Sequence, residues 1–198
     1  MSPRSPQRPW LGSVEMRTFL PSGQGHLTPI AEARPPRHWN PHQGGSVELV
    51  VNGRTLISRE WWDDVENLWL LLAGLIGSLN QGWAYSTMSY PGQPIPVGLA
   101  HQADDMVVLI AGSGEDRRRA VADKHTLFEA FCRAGIEAFD HFERLGGGWH
   151  AATSRQALVD CLDGLYQGAW PSSRQHACTG SAREREMTQL FGVHRLAW

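Results

Sequence analysis

Between Trp61 and Leu79 the residues Trp61, Val65, Leu68, Leu72, Leu75 and Leu79 recur at steps of three and four, and Trp62, Trp69 and Ile76 widen the stripe they make. That spacing is the helical one. It predicts a helix of about six turns, with Ser58 as its cap. Glu60, Asp63 and Asp64 then fall in the first turns, where the helix dipole favours negative charge. A stripe this wide has to be covered by other elements, and 198 residues suffice for one domain with a proper core but not for two large ones. The longest apolar run, Leu68 to Leu79, contains two glycines and a serine. It is short for a membrane span, so no membrane partner is expected.

The elements that could cover the stripe lie on both sides of it. "VELVVNGRTLI" places alternating apolar residues around Asn52-Gly53, the signal of a two-residue type I′ hairpin. In that register Val51 faces Arg54 and Leu49 faces Leu56, with Leu49, Val51 and Leu56 turned to the core. After Asn80-Gln81-Gly82, "WAYSTMSY", "PIPVGLA" and "MVVLIAG" read as three strands joined by turns at Tyr90–Gln93 and Gln102–Asp105. Pro94 and Pro96 cannot donate to a ladder, which places the second of these strands at an edge, while Met106–Ala111 is apolar on both faces and should be central. Asp123 can cap a second long helix, "KHTLFEAFCRAGIEAFDHFERL", whose apolar face runs from Leu127 to Leu145 and which Gly146–Gly148 end. The expected architecture is α+β: an antiparallel sheet of about five strands, in the order strand, strand, helix, three strands, helix, with both long helices on one face. "SRQALVDCLDGLY" and "AREREMTQLF" add short helices.

Three regions follow. Residues 1–45 hold eight of the twelve prolines and show no sustained period, so they read as a disordered arm, or as the product of a start codon set too far upstream. Residues 46–148 form the core domain, and residues 149–198 a poorly ordered extension of short helices and loop. Charge is uneven among them. Residues 1–45 carry five arginines against two acids, residues 46–145 eight basic against fourteen acidic (−6), and residues 146–198 five against four. The acidic centre argues against nucleic acid as a partner. Lys124 is the sole lysine beside seventeen arginines, a bias that suits a GC-rich bacterial genome. Three widely spaced cysteines, Cys132, Cys161 and Cys178, form no CxxC and suggest a reducing cytoplasm. The basic N-terminus lacks the apolar run of a secretory signal.

Candidate chemistry is sparse. In "EWWDDVENLW" Asp63 and Glu66 lie on one helical face, but paired glycosidase carboxylates normally come from separate elements across a cleft. Trp61 and Trp62 point about 100° apart on a helix, so one of them, Trp62, should sit at the edge of the core and offer an exposed aromatic. Metal ligands could be sought among Cys132, His141, His150, Cys161, His176 and Cys178, yet only His176-x-Cys178 has a tight spacing, and no metal or cofactor is expected. His38 and His42 stand four apart, within the proline-rich arm. "AGSGEDRRR" lacks the phosphate-loop glycine pattern, and no Gly-x-Ser-x-Gly or adjacent Cys-His pair marks a nucleophile.

The opening hairpin, the aromatic-acidic helix, "YPGQPIPV" and the closing helix together resemble the small α+β proteins of unknown function common in actinobacteria, some of which are similar to immunity proteins of polymorphic-toxin systems. The resemblance covers Val47 to Leu145 and implies a protein that works by binding another protein. The leading expectation is a non-enzymatic domain that meets a basic protein partner through Trp62, Asp63 and Glu66. The alternative is a small-molecule-binding protein or enzyme with a pocket between sheet and helices, drawn from Trp83, Tyr85, Tyr90, His101 and His125. An edge strand and an exposed tryptophan would also permit a homodimer.

Overall fold

Asn52 and Gly53 adopt φ of 53° and 74°, both in the left-handed region that a type I′ turn demands. In the computed structural model, which describes residues 12–22, 26–34, 38, 40, 42–102, 105–148 and 151–168, this turn joins β3 (Gly44–Val51) to β4 (Arg54–Ile57). Val51 pairs with Arg54 as expected. A bulge between Leu49 and Val50 then shifts the register, so Leu49 meets Ile57 instead of Leu56. The extra residue lets Leu49, Leu56 and Ile57 all be buried.

The protein is α+β, with its strands divided between two antiparallel sheets where one was expected. The first contains β1 (Val14–Pro21) and β2 (Leu27–Pro29) beside β3 and β4, in the order β2-β1-β3-β4, with β5 (Trp62–Asp64) also pairing with β3. The expectation of disorder throughout residues 1–45 is therefore corrected for β1 and β2. Val14 to Phe19 pair residue by residue with Val51 to Ser46, and Phe19 and Leu20 enter the core. The prolines that suggested disorder flank these strands or end them, where no ladder donor is needed.

The second sheet is a meander in sequence order: β6 (Tyr85–Ser89), β7 (Pro96–Gln102), β8 (Met106–Ala111) and β9 (Arg118–Asp123). β7 is interior, not an edge. Pro96 is its first residue, opposite Ser89 at the end of β6, so its missing N–H interrupts nothing. β8 is interior as expected. Its outer neighbour is β9, an unexpected strand that takes in Arg118 and Arg119 at the end of "AGSGEDRRR".

Helix α1 (Val65–Asn80) starts later than its apolar stripe suggests, because Trp62 to Asp64 are extended and Asp64, not Ser58, accepts the Asn67 N–H as cap. Helix α2 (Lys124–Leu145) has the expected limits: Asp123 caps it through the Thr126 N–H, and Gly146 ends it at φ 95°. Helix α3 (Ala151–Gln167) is longer than expected and packs on α1 and α2, not on a sheet. Gly135 makes the helix crossing close. A Cβ there would stand 2.4 Å from Leu158 Cδ1 and 2.9 Å from the Trp69 ring. "AREREMTQLF", His150, His176 and Cys178 lie outside the described residues.

Candidate functional site

The chain leaves β4 through a tight turn in which the Trp61 N–H donates to the Ser58 carbonyl (2.9 Å). It then runs back along the start of β3, so that Trp62, Asp63 and Asp64 face Ser46, Gly45 and Gly44. The two glycines make this possible. A Cβ on Gly45 would lie 2.6 Å from the Phe19 carbonyl oxygen, and one on Gly44 would lie 2.9 Å from the Trp62 ring. With Gly44 bare, Trp62 rests on β3 and keeps 62% of its surface in solvent. Trp61 turns the other way, edge-on to Tyr90 and beneath the guanidinium of Arg118, 4.6 Å from its ring. The expectation that Trp62 would be the exposed member of the pair holds, although Trp61 lies in the turn before β5 and Trp62 in the strand, and neither is in the helix.

A groove of about 690 Å³ opens beside Trp62, lined by His42, Asp63, Asp64, Asn67 and the Pro91–Gln93 turn, among others. Its walls come from both sheets and are tied by hydrogen bonds. The Gly92 N–H donates to both Asp63 oxygens, at 2.8 and 3.1 Å, and the Gln93 side-chain amide donates to the Trp62 carbonyl. Asp64 Oδ2 accepts from Asn67 Nδ2 (2.8 Å) and faces His42 Nδ1 (2.9 Å). Asp63 thus holds β5 to a turn 29 residues away, and Asp64 holds the start of α1 and meets His42.

Glu66 does not share this surface. It is 8% exposed, and its carboxylate accepts the Gly148 N–H (2.9 Å) just past the end of α2. The extended start at Trp62–Asp64 rotates Glu66 to the buried side of α1, which corrects its expected place beside Asp63.

The five residues of the alternative pocket have different neighbourhoods. Tyr85 and Tyr90 stand at the two ends of β6, about 17 Å apart at some 3.4 Å per residue. Tyr90 is buried against Trp61, and its hydroxyl has no hydrogen-bond partner among the described residues. Burial first, and the charge of Asp63 second, push that hydroxyl's pKa up. Trp83 is partly exposed before β6. His125 is half-exposed on α2, where it faces Tyr166 and lies 3.8 Å from Glu129; Tyr166 and Arg133 also bond that carboxylate.

His101 is buried near Leu79 and Lys124. Burial lowers its pKa, and Lys124 adds to the effect. Lys124, the sole lysine, is itself buried and is lowered to about 8 by desolvation, against the pull of Asp105. For both groups the folded state disfavours the proton more than the unfolded chain does, so each contribution to stability is complete above the ordinary pKa and is lost as pH falls through the lowered one. Stability should therefore rise between about pH 8 and 10.5 through Lys124. Because the raised Cys132 thiol and Tyr90 hydroxyl lose stability in the upper part of that range, the test is a difference. Urea titrations should show the wild type gaining stability relative to Lys124→Met as pH rises, and a difference that does not change with pH would contradict the assignment.

Among the described residues no group of three or more His, Cys, Asp or Glu side chains is placed to hold a metal ion. Cys132 and Cys161, distant in sequence, meet between α2 and α3, where their mutual hydrogen bond and burial hold the Cys132 thiol well above the usual range. No helix among the described residues is long and apolar enough to cross a membrane. Sequence reasoning missed the far wall of the groove. The turn at Tyr90–Gln93 is legible, but its meeting with Asp63 is a long-range contact with no local signature. No family model matches the chain, and no curated protein or solved structure matches it.

Proposed function

We propose that the protein is a non-enzymatic binding domain, immunity-like in role, that holds another protein by a basic segment seated in the groove beside Trp62. The observation that carries this reading is a large aromatic side chain left 62% exposed in a groove whose formally charged side chains, among the described residues, are Asp63 and Asp64. Exposed tryptophans of this kind anchor protein contacts. The net charge of −6 over residues 46–145 extends the attraction beyond the groove and favours a basic partner. Asp63 and Asp64 are engaged in holding a turn and capping a helix, the work of a scaffold and not of an acid/base pair.

The test is affinity capture from the native host with the wild-type chain and with Trp62→Ala. Because Trp62 lies on the surface, the substitution should leave thermal unfolding within about 0.5 kcal/mol of wild type. As a central anchor it should weaken partner binding by about 30-fold, the equivalent of some 2 kcal/mol, and wild-type binding should fall as salt is raised. A partner held equally by both chains, or no partner at all, would remove this reading.

A further inference from the structure

The charges lining the groove do not balance. Asp63 and Asp64 face it, and among the described residues the lining includes no lysine or arginine and His42 is its one basic side chain. Neither carboxylate is saturated. A carboxylate offers about four lone-pair sites. Asp63 accepts two bonds from Gly92 and one from the Asp64 N–H, while Asp64 accepts from the Asn67 N–H and Asn67 Nδ2 and meets His42. Among the described residues each aspartate therefore keeps one open acceptor, in the groove that Trp62 also lines.

One residue earlier, the chain shows what such a ring takes. Trp61 carries the guanidinium of Arg118 at 4.6 Å from its centroid, a cation–π contact. Among the described residues Trp62 has no such cover.

We propose that the groove is a guanidinium subsite that receives one arginine side chain of the partner, stacked on Trp62 with its N–H groups on the open acceptors of Asp63 and Asp64. This rests on the reading of the groove as a protein-binding surface and names the side chain it selects. Arginine fits better than lysine for two reasons. Its planar fork can stack on an indole and donate in-plane to two carboxylates at once, and it is less strongly hydrated than an ammonium.

The experiment is an NMR titration of the full chain, with the Trp62 indole N–H identified by its loss in Trp62→Phe. The probes are N-acetyl-arginine amide and N-acetyl-lysine amide, each taken to about 50 mM, since one cation–π contact with two charge-assisted bonds gives millimolar affinity. Blocked arginine should move the Trp62 indole along a saturating curve, and blocked lysine should bind about fivefold more weakly. Asp64→Asn keeps a good helix cap but removes the charge, and should weaken the arginine complex several-fold.

An unmoved Trp62 indole, equal binding of the two probes, or unchanged affinity in Asp64→Asn each overturns the proposal. The broader reading is tested apart from it. If partner capture depends on Trp62 while blocked arginine leaves the indole unmoved, the subsite falls and the binding surface stands. If capture ignores Trp62, the binding surface falls whatever the titration shows.

Discussion

Trp69→Ala is expected to lower the free energy of unfolding by about 3–5 kcal/mol, a large part of the 5–15 kcal/mol or so available to a domain. Trp69 is fully buried where three parts of the protein meet. Its indole N–H donates to the Thr18 hydroxyl of β1 (2.9 Å), its ring meets Phe139 of α2 edge-on, and it packs against Gly135 beside Leu158 of α3. Alanine would leave a cavity among them and strand a buried hydroxyl. Trp69→Phe keeps most of the volume but loses the N–H, so it should fall between the two. Urea unfolding of the three proteins gives the ranking directly; an alanine variant within about 1 kcal/mol of wild type would mean that the site collapses around the smaller side chain. The contrast with Trp62→Ala is informative, since two tryptophans seven residues apart should divide stability and binding between them.

Removing residues 1–29 should abolish cooperative unfolding, whereas removing residues 1–11 should leave the melting temperature unchanged. The shorter truncation touches none of the described elements. The longer one strips β1 and β2 from the sheet. It exposes one side of β3 along six residue pairs and deletes the Thr18 partner of Trp69. Losing the buried Phe19 and Leu20 alone costs about 3–6 kcal/mol at 1.5–3 kcal/mol each, and the bared edge of β3 invites pairing between chains. Thermal melts and sedimentation of the two truncations separate the cases. A cooperative, monomeric 30–198 fragment would contradict an integral role for β1.

The parts of this fold that are legible in the sequence have local signals. Asn52-Gly53 needs only its own two dihedrals, and α2 is bracketed by a capping aspartate and a terminal glycine within its own length. The start of α1 is less legible. Trp61 and Trp62 continue an apolar stripe that suits a helix, but pairing with Gly44–Ser46 holds Trp62 to Asp64 extended, so tertiary contacts override the period. β9 is hidden because it is a sheet-edge strand that opens on two arginines and has a single buried residue, Ala122, and β1 because prolines surround it. The candidate site divides the same way. The exposure of Trp62 follows from two adjacent aromatics that cannot both face one core, whereas the meeting of Asp63 with Gly92 joins two sheets and could be read from neither stretch alone.

That last contact has a thermodynamic consequence. The groove straddles the seam between the sheets, one wall on β5 and the other on the turn between β6 and β7. Anything bound to both walls is bound only while the sheets are docked. Its free energy of association, RT ln(1 + [L]/Kd), is then added to the free energy of keeping the two halves together. Occupancy and cohesion are thus one linked equilibrium: a tight partner would act as a clasp, and a mutation that loosens the seam would weaken binding without touching Trp62.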